Sequence, residues 1–335
     1  MFRFKNFVST GIIGVGAMMI YNSAVQSSIA SCADDGKPRN SAFVFIKPHA
    51  NTAASQRLVK EAFEKHHIHV QKEGELTAEK IDENMLIDQH YYAIASKATL
   101  LKPNALPVPE AKFKESFGLE WNDALKKGVV FNAIDACKYL GIDAEGLEMI
   151  WRQAKLVKFG GGFYCGRIEP NIPGKHPVIY VFNGFFMSMR NKFVTPGTSI
   201  HYYVVDFDPE KLHFKDFRNK VLGATNPKEA PADSLRGSML AQWKQLGMDY
   251  EPNTGDNCVH ASASPFEGLA EKMNWLGVKP QQDEFGAKLI KAGISPNTIK
   301  DWSVDPQVKG ASLFDQLEDR DVEDCVSKAA QLNAK

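Results

Sequence analysis

The stretch Asn257-Cys258-Val259-His260-Ala261-Ser262-Ala263-Ser264-Pro265-Phe266-Glu267 reads as a short extended run followed directly by a helix start. Ser264 is suited to the N-cap, Pro265 to the first helical turn, and Glu267 completes a capping box. His260 is therefore predicted to lie on a strand just ahead of a helix N-terminus. An apolar stripe at helical spacing extends that helix: Leu269, Ala270, Met273 and Leu276.

A histidine in this position has two interpretations. The free N–H groups and the dipole of a helix N-terminus favour negative charge, so a phosphate carried on the His260 ring would be stabilised there. A structural histidine with satisfied ring nitrogens is the commoner role for such a residue taken alone. The local sequence leaves both interpretations open.

The remaining elements of the predicted core lie N-terminal to this stretch. Apolar runs and helical periodicity assign them. In chain order they are a strand over Phe43–Ile46, a helix carrying 58–63, a strand over 68–72, a strand over 200–205 and a helix over 209–222. Together with the strand before His260, this order predicts an α/β (α+β) fold of ferredoxin-like type. Such a fold has a βαββαβ antiparallel sheet with flanking helices, here expected on one face.

Several short motifs occur together in one order along the chain. They are Asn257-x-x-His260-Ala261-Ser262, Gly223-Ala224-Thr225-Asn226-Pro227, Ser234-Leu235-Arg236-Gly237, Phe45-Ile46-Lys47-Pro48 and Gln89-His90-Tyr91. These motifs resemble the active-site signature, the phosphate-binding segments and the first-strand lysine motif of the nucleoside diphosphate kinase family. Glu271 also falls at the family's spacing after the histidine. The resemblance covers residues 41 to about 92 and 200–276.

The resemblance implies a phosphotransferase that uses ATP or another nucleoside triphosphate. His260 would take the γ-phosphate, become phosphohistidine and pass the group to a nucleoside diphosphate. Glu271 would fix the tautomer of His260, with Ser262 in support. Mg²⁺ would be held by the nucleotide phosphates, without protein ligands. The residues implied to contact the nucleotide or its phosphates are Lys47, Tyr91, Arg218, Thr225, Arg236 and Asn257.

The chain departs from the family pattern in four places. Ala263 and His49 stand where the family has aspartate. The family's helix arginine aligns with Asn219, whereas the arginine of this chain is the neighbouring Arg218. A shift of one position along a helix rotates the side chain by about 100° around the helix axis. Arg218 can therefore replace the family's arginine only if the helix register is shifted. The segment over 237–256 is longer than in the family and falls at its subunit contacts. A homo-oligomer is therefore left open.

The predicted organisation has three parts. Residues 1–40 form a targeting or anchor segment and a linker, 41–278 form the kinase-like domain with an insertion over about 101–199, and 279–335 form a helical C-terminal tail. Within the insertion, Gly160-Gly161-Gly162 lacks the G-x-x-x-x-G-K-[ST] pattern of a phosphate loop. A glycine hairpin is favoured there instead.

The N-terminus differs in kind from the rest of the chain. Residues 1–33 include Arg3 and Lys5 but no acidic residue, and an apolar stretch runs from Phe7 to Val25. This pattern is typical of a targeting or anchoring segment. We expect a mitochondrial presequence or N-terminal membrane anchor, with the secretory pathway or a plastid as the alternatives, and membrane association through the apolar stretch.

Overall charge and cysteine usage exclude other classes of protein. Forty basic residues balance forty acidic ones, so no nucleic-acid partner is expected. The five cysteines are far apart and form no C-x-x-C pair, which predicts free thiols rather than disulfides or a zinc site. Two rivals to the kinase remain: a kinase-derived scaffold subunit of a membrane or organellar complex with a vestigial site, and a regulatory module that binds nucleotide without transferring phosphate.

Overall fold

The strands of the protein come from widely separated parts of the sequence. A computed structural model describes residues 37–160 and 162–334. The strands in this part of the chain are β1 (Asn40–Ile46), β2 (His69–Thr77), β3 (Val130–Asn132), β4 (Lys155–Gly160), β5 (Phe163–Ile168), β6 (Ile179–Phe182), β7 (Ser199–Phe207), β8 (Val259–Ala261), β9 (Gln307–Val308) and β10 (Ala311–Ser312).

Helices make up most of the rest. None of those in the described ranges is long and apolar enough to cross a membrane. The α-helices are α1 (Ala53–Lys65), α2 (Ala78–Glu83), α3 (Leu86–His90), α4 (Tyr92–Ala95), α5 (Glu110–Phe117), α6 (Trp121–Lys126), α7 (Ala133–Leu140), α8 (Ala144–Arg152), α9 (Phe186–Val194), α10 (Phe214–Asp216), α11 (Leu235–Gln242), α12 (Pro265–Leu276), α13 (Glu284–Lys291), α14 (Pro296–Trp302), α15 (Leu313–Leu317) and α16 (Val322–Asn333). Short 3₁₀ turns cover Pro48–Ala50, Pro103–Ala105, Pro227–Glu229 and Pro280–Gln282, and π-helical turns cover Ser96–Leu100 and Phe217–Leu222.

The sheet that carries His260 has the strand order β2-β7-β1-β8. Every neighbouring pair in it is antiparallel. This is the ferredoxin-like arrangement, in which the first core strand lies between the third and the fourth. The predicted fold class is confirmed. His260 lies on the edge strand β8, where it pairs with Phe45 on the inner strand β1.

Both faces of this sheet are covered, which differs from the expected single helical layer. Val44 and Ile46 pack in one apolar cluster with residues of α1, α10 and α11. Phe43 and Phe45 point the other way and pack in a second cluster that includes Trp275 of α12. A strand buried on both faces needs a continuous apolar run rather than alternation, and β1 has one.

The predicted helix over 209–222 begins later than expected, at Phe214. Residues 208–213 form a turn instead, in which the N–H of Lys211 donates to the carbonyl of Asp208 at 3.0 Å. From Phe217 onward the helix widens into a π-helical turn that ends at Gly223, whose φ is 91°. A π-helical turn changes which side chains share a face.

The predicted insertion contains a second sheet, of order β3-β6-β5-β4. It is mixed, since β3 runs parallel to β6 whereas the other pairs are antiparallel. Gly160 pairs with Phe163 across the β4–β5 turn, so the glycine hairpin is confirmed. The domain boundaries themselves stay predictions.

The tail is helical, as predicted, and packs against α12. Phe266 and Leu269 of α12 share one apolar cluster with residues of α13 to α16. Trp275 of the same helix belongs to the cluster under the sheet. Helix α12 is therefore sandwiched between the sheet and the tail.

Candidate active site

The strand-to-helix junction after His260 forms as the sequence predicts, with one difference. The Ser264 hydroxyl accepts the N–H of Glu267 at 3.1 Å, so the N-cap is confirmed. The Glu267 carboxylate accepts the N–H of Ala263 at 2.5 Å, rather than that of the cap residue itself. These two hydrogen bonds hold the junction between strand and helix, and so fix the end of the strand that carries His260.

His260 is held by hydrogen bonds on one side of its ring. Its Nε2 lies 2.5 Å from Oε1 of Glu271 on α12. The Ser262 hydroxyl donates to the other carboxylate oxygen at 2.6 Å and accepts the N–H of Phe43 at 2.8 Å. No residue within the described ranges hydrogen-bonds to Nδ1 of His260. The ring is therefore oriented through Nε2.

Aromatic contacts fix the plane of the same ring. Phe45 stacks on His260 with the ring centroids 4.8 Å apart. His90 meets it edge-on at 4.5 Å, and Tyr91 lies against His90 at 4.6 Å. His90 belongs to one of the quoted motifs, yet the sequence assigned it no role.

Burial sets the charge state of this group. It lowers the pKa of His260 well below its usual value, and nearby Lys47 and Arg236 lower it further. Burial, followed by the His260 charge, lowers the pKa of His90 in the same way. Burial also raises the pKa of Glu271 to about 8. Both imidazoles are consequently neutral near pH 7, as a nitrogen nucleophile requires.

Two cations lie close to the histidine. Lys47 follows β1 and donates to the Gly255 carbonyl at 3.2 Å; burial, then the Arg236 charge, lowers its pKa to about 8. Arg236 is only 8% exposed and donates to the carbonyls of Val259 at 2.9 Å and Gly223 at 2.8 Å. Burial lowers its pKa to about 10. These positive charges surround the ring that would carry a phosphate.

Arg218 lies on the π-helical turn and is partly buried, whereas its neighbour Asn219 is exposed. Its charge contributes to the lowered pKa of His260. The guanidinium forms ion pairs with Glu318 and Asp319 of the tail, both at 2.6 Å. The charge of Arg218 thus acts on His260, and its role at the phosphate site stays a prediction.

Three neutral residues complete the predicted set. The amide nitrogen of Asn257 donates to the Thr225 carbonyl at 3.1 Å. Asn257 is 4% exposed, and its amide oxygen has no hydrogen-bond partner in the described part of the chain. Burial raises the pKa of Tyr91 to about 12, so its phenol remains a neutral donor. A buried acceptor without a partner is rare, and a ligand hydroxyl would satisfy the one on Asn257.

The rim of the site includes residues that the motifs did not reveal. Asp256 accepts two 2.8 Å hydrogen bonds from Lys192 of α9. His49 stacks on Tyr250 with centroids 5.7 Å apart, and burial lowers its pKa to about 4. Both the insertion and the enlarged 237–256 segment thus reach the site. No short-range sequence signal pairs Lys192 with Asp256.

His90, His260 and Glu271 could together hold a metal ion, since each offers a ligand atom within 4.8 Å of the others. Hydrogen bonds already occupy these atoms. The indole N–H of Trp275 donates to Nδ1 of His90 at 3.4 Å, in addition to the bond between His260 and Glu271. Hydrogen bonding accounts for the cluster, and we assign no metal to it.

Comparisons with known proteins give a weak likeness at the level of structure. No family model matches the chain, and no curated protein sequence matches it. Similar solved structures include the apo nucleoside diphosphate kinase of Encephalitozoon cuniculi, at 15% identity and a TM-score of 0.34, covering 72% of this chain and 90% of that one. Another is an NDP kinase from Pyrobaculum aerophilum, at 16% identity and a TM-score of 0.31, covering 71% and 96%. Likenesses of this size establish no family, so the conclusions below rest on the geometry.

Proposed function

We propose that this chain is a nucleoside diphosphate kinase-type phosphotransferase that carries phosphate on His260. One observation carries the proposal: His260 is neutral and tied to Glu271 through Nε2, and its Nδ1 has no partner within the described ranges. Lys47 and Arg236 surround that ring with positive charge. A nucleophile held in this way suits attack on a phosphoryl group.

The reaction would proceed in two displacements. The lone pair on Nδ1 of His260 forms a bond to the γ-phosphorus of a magnesium–nucleoside triphosphate, while the bond from that phosphorus to the bridging oxygen breaks. The diphosphate leaves with the electron pair. A terminal oxygen of a second nucleoside diphosphate then attacks the phosphohistidine and returns the ring to its free state. Magnesium arrives with the nucleotide as part of the substrate.

The other residues would position and stabilise. Charge spreads over the equatorial oxygens during transfer, so fixed cations and donors lower the barrier. Lys47, Arg236 and Arg218 would supply charge to the phosphates. Tyr91 and Thr225 would donate hydrogen bonds. The unpaired amide oxygen of Asn257 would accept a sugar hydroxyl.

The experiment uses protein without residues 1–33, Mg²⁺ and γ-labelled ATP. We expect an acid-labile label on the wild type and on His176→Ala, a control that removes an exposed histidine of the insertion. His260→Ala should take up none, and added nucleoside diphosphate should remove the label from the wild type. Folded wild-type protein that binds nucleotide but never becomes labelled would contradict the proposal and favour a binding module.

A scaffold role is the second candidate function. It is favoured because both arginines of the proposed site already have partners within the protein. Arg236 donates to backbone carbonyls, and Arg218 is paired with two tail carboxylates. A vestigial site would tolerate such internal partners. Stable co-purification with a larger membrane assembly, together with neither labelling nor nucleotide binding, would support this role.

For the cellular location we propose the mitochondrion, with residues 1–33 as presequence or membrane anchor. Those residues lie outside the described part of the chain, so the proposal rests on their composition. Fusing residues 1–40 to a fluorescent reporter tests it. Reporter signal in the secretory pathway or a plastid would replace it with one of the alternatives. Homo-oligomerisation is likewise open to measurement by light scattering.

A further inference from the structure

We infer that Glu318 and Asp319 of the tail form an internal competitor of the nucleotide phosphates, which must release Arg218 before the phosphates can bind it. This inference concerns regulation and rests on the phosphate site proposed above. We call the segment Glu318–Asp321 the acidic strap.

The strap contacts the site at two points. Glu318 and Asp319 bind separate terminal nitrogens of the Arg218 guanidinium, each at 2.6 Å. The backbone N–H of Asp319 donates to the carbonyl of Ala263 at 3.0 Å, between the catalytic strand and the N-cap of α12. The strap therefore binds the backbone three residues after His260 as well as the arginine.

The far end of the strap is anchored to the core. Asp321 accepts the amide N–H of Asn40 at 2.7 Å and the backbone N–H of Phe214 at 2.8 Å. In return, the N–H of Val322 donates to the side-chain oxygen of Asn40 at 2.8 Å. Phe214 begins the helix that carries Arg218, whereas Asn40 begins β1, so the contacts with Asn40 anchor the strap independently of the arginine. The acidic pair can release the arginine while the tail stays docked.

Asp319 has a backbone conformation that the strap contacts stabilise. Its φ is 61°, in the left-handed region, where aspartate and asparagine are tolerated better than most residues. Release of its side chain and of its bond to Ala263 would remove the contacts that favour this conformation. An asparagine at this position keeps the backbone preference while removing the charge.

Charge decides the direction of the effect. Two carboxylates against the Arg218 guanidinium leave a net negative charge at the proposed phosphate site, since Arg320 of the strap is paired with Asp324. Like charges at this range disfavour binding, and the phosphate must also replace the carboxylates on Arg218. Binding and strap release are therefore linked, and the linkage is reciprocal.

The test measures the affinity of the folded protein for MgADP by calorimetry, which needs no phosphate transfer. The variant Glu318→Gln/Asp319→Asn keeps the shape of both side chains and should bind MgADP about fivefold more tightly than wild type. The matched control, Asp301→Asn/Glu323→Gln, removes the same charge from the same tail. Glu323 pairs with Lys288 and Asp301 is exposed, and both lie outside the strap, so this control should leave affinity within about twofold.

A second arm separates competition from a structural role. In an Arg218→Gln background, the Glu318→Gln/Asp319→Asn change should no longer alter affinity by more than the control does. The inference would be overturned if the strap variant bound MgADP more weakly than the wild type. It would also be overturned if the strap variant and the control changed the affinity by the same factor. If the protein binds MgADP but forms no phosphohistidine, the proposed transfer fails while this comparison still decides the role of the strap.

Discussion

At the scale of single residues, the proposed chemistry depends on which nitrogen of His260 carries the proton. We propose that the ionised Glu271 carboxylate, which forms as pH rises through about 8, accepts from Nε2 and keeps the lone pair on Nδ1. Ser262 orients the carboxylate from its other oxygen. The reactivity of the ring is thus set by a helix residue that touches no substrate.

At pH 9, where Glu271 is ionised, its replacement by glutamine should slow phosphoenzyme formation about 10- to 100-fold, because a glutamine amide can donate to Nε2 and shift the ring proton to Nδ1. Single-turnover labelling with γ-labelled ATP measures the rate. The same change one turn earlier, Glu267→Gln, keeps the acceptor for the Ala263 N–H and should have a much smaller effect. Equal rates for Glu271→Gln and wild type would mean that the carboxylate does not set the tautomer.

Nucleotide affinity should depend on pH through Lys47. Its lowered pKa, about 8, means that the ammonium is present below pH 8 and is lost as pH rises through that value. At pH 9 roughly a tenth of the lysines remain charged, so the Kd for MgADP should rise by up to about tenfold from pH 7.5. Lys47→Arg keeps its charge and should show a smaller rise than the wild type; part of the rise remains because Glu271, whose pKa is also about 8, ionises over the same range. A flat profile for the wild type would exclude Lys47 from the phosphate site.

Sequence motifs could indicate this group of residues because the residues lie close together in the chain. Asn257, His260 and Glu271 lie within fifteen positions of one another, in the segment that contains β8 and α12. The partners of the cations were not predictable in the same way. Lys192 reaches Asp256 from another part of the chain, and no local pattern encodes that pairing.

At the scale of secondary-structure elements, the insertion is tied to the site through a buried ion pair. Arg190 of α9 donates to Asp88 of α3 at 2.9 Å, and the two residues are 5% and 0% exposed. Thr99 donates to the same carboxylate at 2.6 Å. Asp88 directly precedes Gln89-His90-Tyr91, so this network fixes the segment that contacts the His260 ring.

Removal of the arginine should therefore destabilise the protein. Arg190→Met leaves the Asp88 carboxylate buried without its cation, which costs about 3–5 kcal/mol. Arg152→Met, which breaks the exposed pair with Glu148, should cost less than about 1 kcal/mol. Urea unfolding followed by circular dichroism gives both free energies. Similar small losses for the two variants would show that the buried pair does not hold the insertion to the core.

Element bounds were predicted less well than element types. The helix expected from Pro209 begins at Phe214, because residues before it close a turn around Asp208. A π-helical turn follows and carries Arg218. Such a turn depends on tertiary packing, so periodicity in the sequence could not reveal it.

At the scale of the whole molecule, the tail is part of the core that supports the site. Phe266 and Leu269, which are 1% and 0% exposed, bury their side chains against the tail from the helix that carries Glu271. The sequence predicted a helical tail but not that it covers this helix. A polar, helical segment does not indicate which surface its few apolar residues will meet.

A cavity in the tail should consequently lower the stability of the whole protein. Leu289→Ala removes a fully buried side chain and should lower the free energy of unfolding by about 2–5 kcal/mol. The protein should still unfold in a single transition, shifted to milder conditions. The exposed Lys291→Ala is the control and should change little. Two separate transitions, with only the minor one shifted, would mean that the tail folds apart from the sheet.

The central claim is that His260 carries the phosphate on Nδ1. The most direct measurement is ³¹P NMR of the phosphoenzyme made from MgATP, combined with mass spectrometry to locate the modified residue. The account predicts a single phosphohistidine at His260, substituted on Nδ1 and discharged by nucleoside diphosphate. A folded, nucleotide-binding protein without phosphohistidine, or with phosphate on Nε2 or on another residue, would contradict it.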